Sequence, residues 1–172
     1  QALTLNSVKA LTTSQIAALS TSQVNALGTQ EIAELSEAQL TAMTTAQVNA
    51  LTTSAISVLS NDQVSKFTTA QVQALTTTSV GALNSDQVAA LTTAQVGALT
   101  TSQVKSVTTA AIAAMSTTQV AALDTAQVAA ITTTQMGALT AAEVTALSTT
   151  QVQALGSTQV NALSNDNVAA LT

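Results

Sequence analysis

Large apolar residues recur along this chain at two positions in every eight residues, and the spacing does not slip from Leu3 to Val168. Counting each octapeptide from its leucine, position 1 runs Leu3, Leu11, Leu19 and onward to Leu163, with Met43, Phe67, Val107, Met115 and Ile131 in five copies. Position 6, from Val8 to Val168, is Val, Ile, Leu or Met in all 21 copies, and position 8 is alanine in 17. The consensus is Leu-Thr-Thr-x-Gln-Val-x-Ala, and residues 1–172 read as a single repeat array whose 21 copies span residues 3 to 170.

The polar positions predict what each copy does. Position 2 is threonine in eleven copies and serine in six, with Asn84, Asp124, Gly28 and Gly156 in the others. All are favoured helix N-cap residues. Three residues later position 5 is glutamine or glutamate in 16 copies, including Gln15, Gln23, Glu31 and Glu143. That is the spacing of a capping box, and positions 1 and 6 then stand where a hydrophobic staple needs them. Each octapeptide therefore predicts a helix of about six residues over positions 3 to 8, redirected at the next Leu-Thr corner. Glycine, the common helix stop, occurs only five times.

A single continuous helix is excluded by the period. Eight residues at ~100° each advance the apolar stripe by roughly 80° per repeat, so it winds around the helix and no partner covers it. A β-solenoid is the alternative, since threonine and valine favour strands, but positions 1, 6 and 8 do not alternate with period two. The expected fold is thus an all-α solenoid of very short helices, one per repeat. A lone octapeptide is disordered on this reading: burying a leucine and a valine contributes roughly 3 to 6 kcal/mol against a backbone ordering cost of about 8 to 16 kcal/mol. Stacking has to supply the rest.

Positions 1 and 6 admit no charge and form the expected core. Glu34, Val58, Lys66 and Ser106 replace alanine at position 8, which places that position near the rim. Positions 3, 4 and 7 vary among small polar and charged residues and describe a solvent face. The exceptions show no preference for odd or even copies. The sequence does not give the number of helices per coil; if two make one coil, ~8–10 Å between packed helices gives a rod on the order of 100 Å long. Neither end has a distinctive polar cap, so the chain reads as an excerpt of a longer array or as a unit that stacks end to end.

Composition narrows the chemistry. Proline, cysteine, histidine, tryptophan and tyrosine are absent, which excludes disulfides, thiolate or imidazole metal sites and histidine-activated nucleophiles. Three lysines, Lys9, Lys66 and Lys105, stand against eight acidic residues for a net charge of -5, the wrong sign for a nucleic-acid partner. The longest apolar run is the six residues from Ala110 to Met115, against the ~20 that cross a bilayer. Glu31, Glu34 and Glu37 form the one acidic cluster and read as a solvated face rather than a cation site, because Glu31 takes the place of a capping glutamine. Asp62, Asp86 and Asp166 fall at position 4, where a carboxylate suits the first helical turn. No catalytic, cofactor-binding or metal-ligating residue is assigned, no cofactor is expected, and the chain is not read as an enzyme. There is no Asn-x-Ser/Thr sequon, while the exposed threonines and serines are candidate acceptors of O-linked glycans in a secreted protein.

Leu91, Thr92, Gln95, Val96 and Ala98 match a stretch that resembles the start of the first helix in transcription-activator-like effector repeats. The likeness covers eight residues of a much longer unit, and without a base-reading loop or basic balance it implies no DNA binding. The whole chain is similar to the Thr/Ala/Gln-rich repeat regions of large bacterial surface and secreted proteins. That resemblance implies an extracellular or cell-surface structural role, as a filament, fibre or adhesin stalk that self-associates end to end or laterally. The alternative is a threonine array that binds ice or polysaccharide, which requires flat ranks of threonine.

Overall fold

In the computed structural model, residues 4–169 and 171 are described. They form 21 helices of four to six residues, one per octapeptide, from α1 (Leu5–Ala10) to α21 (Asn165–Ala169), and no strand is present among the described residues. The all-α solenoid is therefore the observed fold and the β-solenoid is excluded. Among the described residues no helix is long and apolar enough to cross a membrane.

Each helix begins where the capping signal predicts. In α2 (Thr13–Ala18) the Thr12 hydroxyl accepts from the amide of Gln15, and Oε1 of Gln15 accepts from the amide of Thr12 at 2.8 Å. The same reciprocal pair starts α12 (Thr93–Gly97), with Thr92 and Gln95. At α4 (Thr29–Ala33) the N-cap is Gly28, which has no side chain to accept.

Termination needs no glycine. No described residue has positive φ, so the left-handed cap that glycine usually supplies is absent. Instead the last turn tightens: the amide of position 1 donates to the carbonyl of position 6, as from Leu91 to Val88 at 3.1 Å, a 3₁₀-type closure. Position 1 and the following N-cap are then both extended, as at Leu75 and Thr76, and these two residues make the corner.

Three helices make one coil. Each helix packs against the one three places along, as α10 (Thr77–Gly81) does on α13 (Thr101–Ser106) and α13 on α16 (Thr125–Ala130). The number of helices per coil, which the sequence leaves open, is thus three: a coil spans three octapeptides, and the 21 helices of the described residues form seven coils. At ~8–10 Å per helix layer the stack is about 55 to 70 Å long, shorter and thicker than a two-helix rod. The extended leucine-threonine corner turns the chain through one side of a triangle rather than back on itself.

The core lies where positions 1 and 6 put it. Val8, Leu40, Val48, Val96, Val128 and Val144 are fully buried at position 6, with Leu35, Phe67 and Leu123 at position 1. Where no coil is stacked below, Gln15 and Gln23 are exposed; where none is stacked above, Val160 and Val168 are exposed, the latter at 42%. Position 5 consequently faces the preceding coil and position 6 the following one. Position 8 sits at the rim as expected: its alanines are mostly half-buried in the middle of the stack, whereas Glu34, Val58 and Lys66 are exposed.

Candidate functional site

The chemically distinctive part of the molecule is a ladder of buried glutamine side chains. From Gln39 onward position 5 is buried, although the capping box alone needs only the glutamine carbonyl. The other half of the amide reaches across to the coil below. Nε2 of Gln95 donates to the carbonyl of Val64 at 3.0 Å and to that of Phe67 at 2.7 Å, closing the C-terminal end of α8 (Asn61–Ser65). Gln103 does the same to Val72 and Leu75, and Gln119 to Val88 and Leu91. One side chain therefore caps the start of its own helix and the end of the helix four places earlier, satisfying carbonyls that helix termini leave open.

Sequence reasoning missed this second role. A signal for it existed in the preference for glutamine over glutamate, 14 copies to two. Glutamate serves a capping box equally well and suits the positive end of the helix dipole better. Only a buried partner that needs a donor explains a neutral amide at so many positions.

Position 7, assigned to the solvent face, also touches its neighbour. Nδ2 of Asn49 donates to the carbonyl of Ala74 at 2.8 Å and Oγ1 of Thr41 to that of Lys66 at 3.3 Å, each in the coil above. At Gly81, Gly97 and Gly137 a Cβ would lie 3.1–3.2 Å from the matching carbonyls of Ser106, Ala122 and Ala162. Here glycine permits close approach of two coils.

The three glutamates singled out in the sequence do not converge. Glu34 pairs with Lys9 at 2.9 Å and Glu37 with Lys66 at 3.3 Å, each pair linking adjacent coils, while Glu31 lies in the first turn of α4 with Oε2 over Gly28. All four paired side chains are about half exposed, so these contacts contribute little to stability. Asp62 and Asp86 stand in the first turns of α8 and α11 (Ser85–Ala89), as the dipole argument requires. Among the described residues no group of three or more acidic side chains is placed to hold a metal ion.

The three-helix coil sorts the exposed threonines into columns. Thr29, Thr53, Thr77, Thr101, Thr125 and Thr149 are all exposed at position 3 of helices stacked on one face. Their spacing is that of helix layers, ~8–10 Å, about twice the 4.7–4.9 Å of β coils. The threonine columns are thus spaced more widely than those β coils would supply.

A sequence profile of one family, the ALTTAQ repeat, matches seven overlapping segments, residues 1–37, 32–69, 66–93, 80–109, 100–133, 108–141 and 136–172. The chain belongs to the ALTTAQ repeat family. Each match spans several octapeptides, in keeping with a unit that is stable only when stacked. No curated protein matches the chain.

Proposed function

We propose that this ALTTAQ repeat array is a structural, non-catalytic length of an extracellular bacterial filament, fibre or adhesin stalk. The observation that carries the reading is the self-complementarity of the coil. One face presents the glutamine amides of position 5, and the other presents the apolar position 6 side chains and the carbonyls those amides cap. A head-to-tail contact of this kind propagates without closing, so length is set by the number of repeats. The absence of histidine and cysteine from the sequence and the small polar surface suit a spacer better than a reaction centre.

Self-association follows from the same faces, end to end through them or laterally through the threonine-rich sides, and the exposed hydroxyls are the sites at which O-linked glycans would be carried. Electron microscopy of the purified chain tests the proposal. Narrow rods that join lengthwise or side by side are expected, and three added octapeptides should lengthen each rod by one layer of ~8–10 Å. Compact monomers that neither associate nor lengthen would refute it.

A further inference from the structure

The glutamine ladder is broken along one line. A rung reaches carbonyls 28 and 31 residues earlier, at the end of the helix four places before its own, as Gln135 does to Val107 at 2.6 Å and Val104 at 2.8 Å. Because each rung joins helices four places apart, the ladder consists of four diagonals. Positions 79, 111 and 143 follow one another on a single diagonal, and none of them carries a glutamine. Ser79, in α10, is too short to cross, and its hydroxyl pairs with that of Thr76 at 2.8 Å. Ala111, in α14 (Thr109–Ile112), has no polar side chain. Glu143, in α18 (Ala141–Thr145), keeps the capping role, its Oε2 accepting from the Thr140 amide at 2.6 Å. Its Oε1 stands where a rung has its donor, and is buried with no hydrogen-bond partner. All three residues are buried, so the gaps lie inside the stack.

Two helices lose a rung at both ends. In α10 Ser79 does not reach down, and Ala111 above leaves the Val80 and Leu83 carbonyls without a side-chain donor. In α14 Ala111 does not reach down, and Glu143 above brings an acceptor toward the Ile112 and Met115 carbonyls. Every other helix from α5 (Glu37–Ala42) to α17 (Thr133–Ala138) is fastened by a position 5 amide at one end or both. The four residues of α14 also make it the shortest helix among the described residues.

We propose that this diagonal is a seam along which the stack opens, with α10 and α14 loosening ahead of the helices around them. A buried carbonyl without a donor favours the open state, in which water supplies one. In a repeat array the stability of each unit is set by its own interactions and those with its neighbours, so the loss stays local. Across the same coils the other three diagonals are intact, through Gln87 and Gln119, Gln95 and Gln127, and Gln103 and Gln135. The two helices therefore loosen while the array stays in one piece, which gives it a point of yield in its middle.

Residue-resolved amide hydrogen exchange of the full chain at neutral pH tests the seam. The Leu83 and Met115 amides close α10 and α14 by donating to Val80 at 3.2 Å and Ile112 at 3.1 Å. The Leu75 and Val107 amides close α9 (Thr69–Ala74) and α13 in the same way, on carbonyls that also hold a rung. Exchange at Leu83 and Met115 should be about 10-fold faster than at Leu75 and Val107. Glu143→Gln completes a rung with no change of size; it should slow Met115 by a similar factor and leave Leu83 unchanged. Gln135→Glu makes the reverse change and should speed exchange at Val107. Equal protection of the four amides in wild type would overturn the seam, as would Glu143→Gln slowing all four alike or none of them.

Discussion

Replacing Phe67 with alanine is expected to lower stability by about 3–5 kcal/mol, the largest effect of any single truncation in this chain. Phe67 is the only aromatic residue, stands at position 1 of its repeat, and is 4% exposed. Its ring fills a corner of the three-helix coil that leucine fills elsewhere, and the two extended residues of the corner leave little freedom for collapse around a void. Its backbone is held as well, since its amide donates to Val64 at 3.3 Å and its carbonyl accepts from Gln95. Urea unfolding followed by circular dichroism measures the loss. Phe67→Leu, the consensus residue, should recover most of it, whereas a loss below 1 kcal/mol for Phe67→Ala would show that position 1 is not core.

Gln95→Met is expected to cost about 2–4 kcal/mol, despite conserving volume. The substitution leaves the Phe67 carbonyl without its donor and the Val64 carbonyl with only the Phe67 amide, and a buried polar group stripped of a partner costs about 1–3 kcal/mol. Gln15→Met is the control. Gln15 caps Thr12 at 2.8 Å as Gln95 caps Thr92, but it is exposed and has no coil beneath it in this structure. Its loss should be below ~1 kcal/mol, the value of half a capping box. Hydrogen exchange should show the difference locally, with protection lost in the α8 corner as well as at α12 only for Gln95→Met. Equal effects at the two positions would mean that the cross-coil bonds contribute nothing.

Helix number, helix starts and core positions were legible in the sequence because each is set within one octapeptide. Thr12 and Gln15, or Thr92 and Gln95, are three residues apart, and their pairing does not depend on what lies above or below. The number of helices per coil is not local. It depends on the extended corner at pairs such as Leu75 and Thr76, whose dihedrals no side chain announces.

The exceptions did hold a clue at period three rather than two. Ser7, Glu31, Ala55 and Ser79 replace the position 5 glutamine in four helices of one face, the first, fourth, seventh and tenth. The ladder escaped notice because a capping box accounts for only one end of the glutamine amide. The buried oxygen of Glu143 was hidden for the same reason, since glutamate and glutamine are interchangeable in a cap and opposite in a rung.

Distances along a single face distinguish three octapeptides per coil from two. Because the chain has no cysteine, pairs of exposed threonines can be replaced by cysteine and spin-labelled without background. Thr53 with Thr101, Thr125 and Thr149 gives separations of two, three and four coils on the face that carries all four. Pulsed electron paramagnetic resonance should return distances rising by ~8–10 Å per 24 residues, to about 32–40 Å for Thr53 and Thr149. A distance near 48–60 Å for that last pair would instead mean two helices per coil and rule out the three-helix coil.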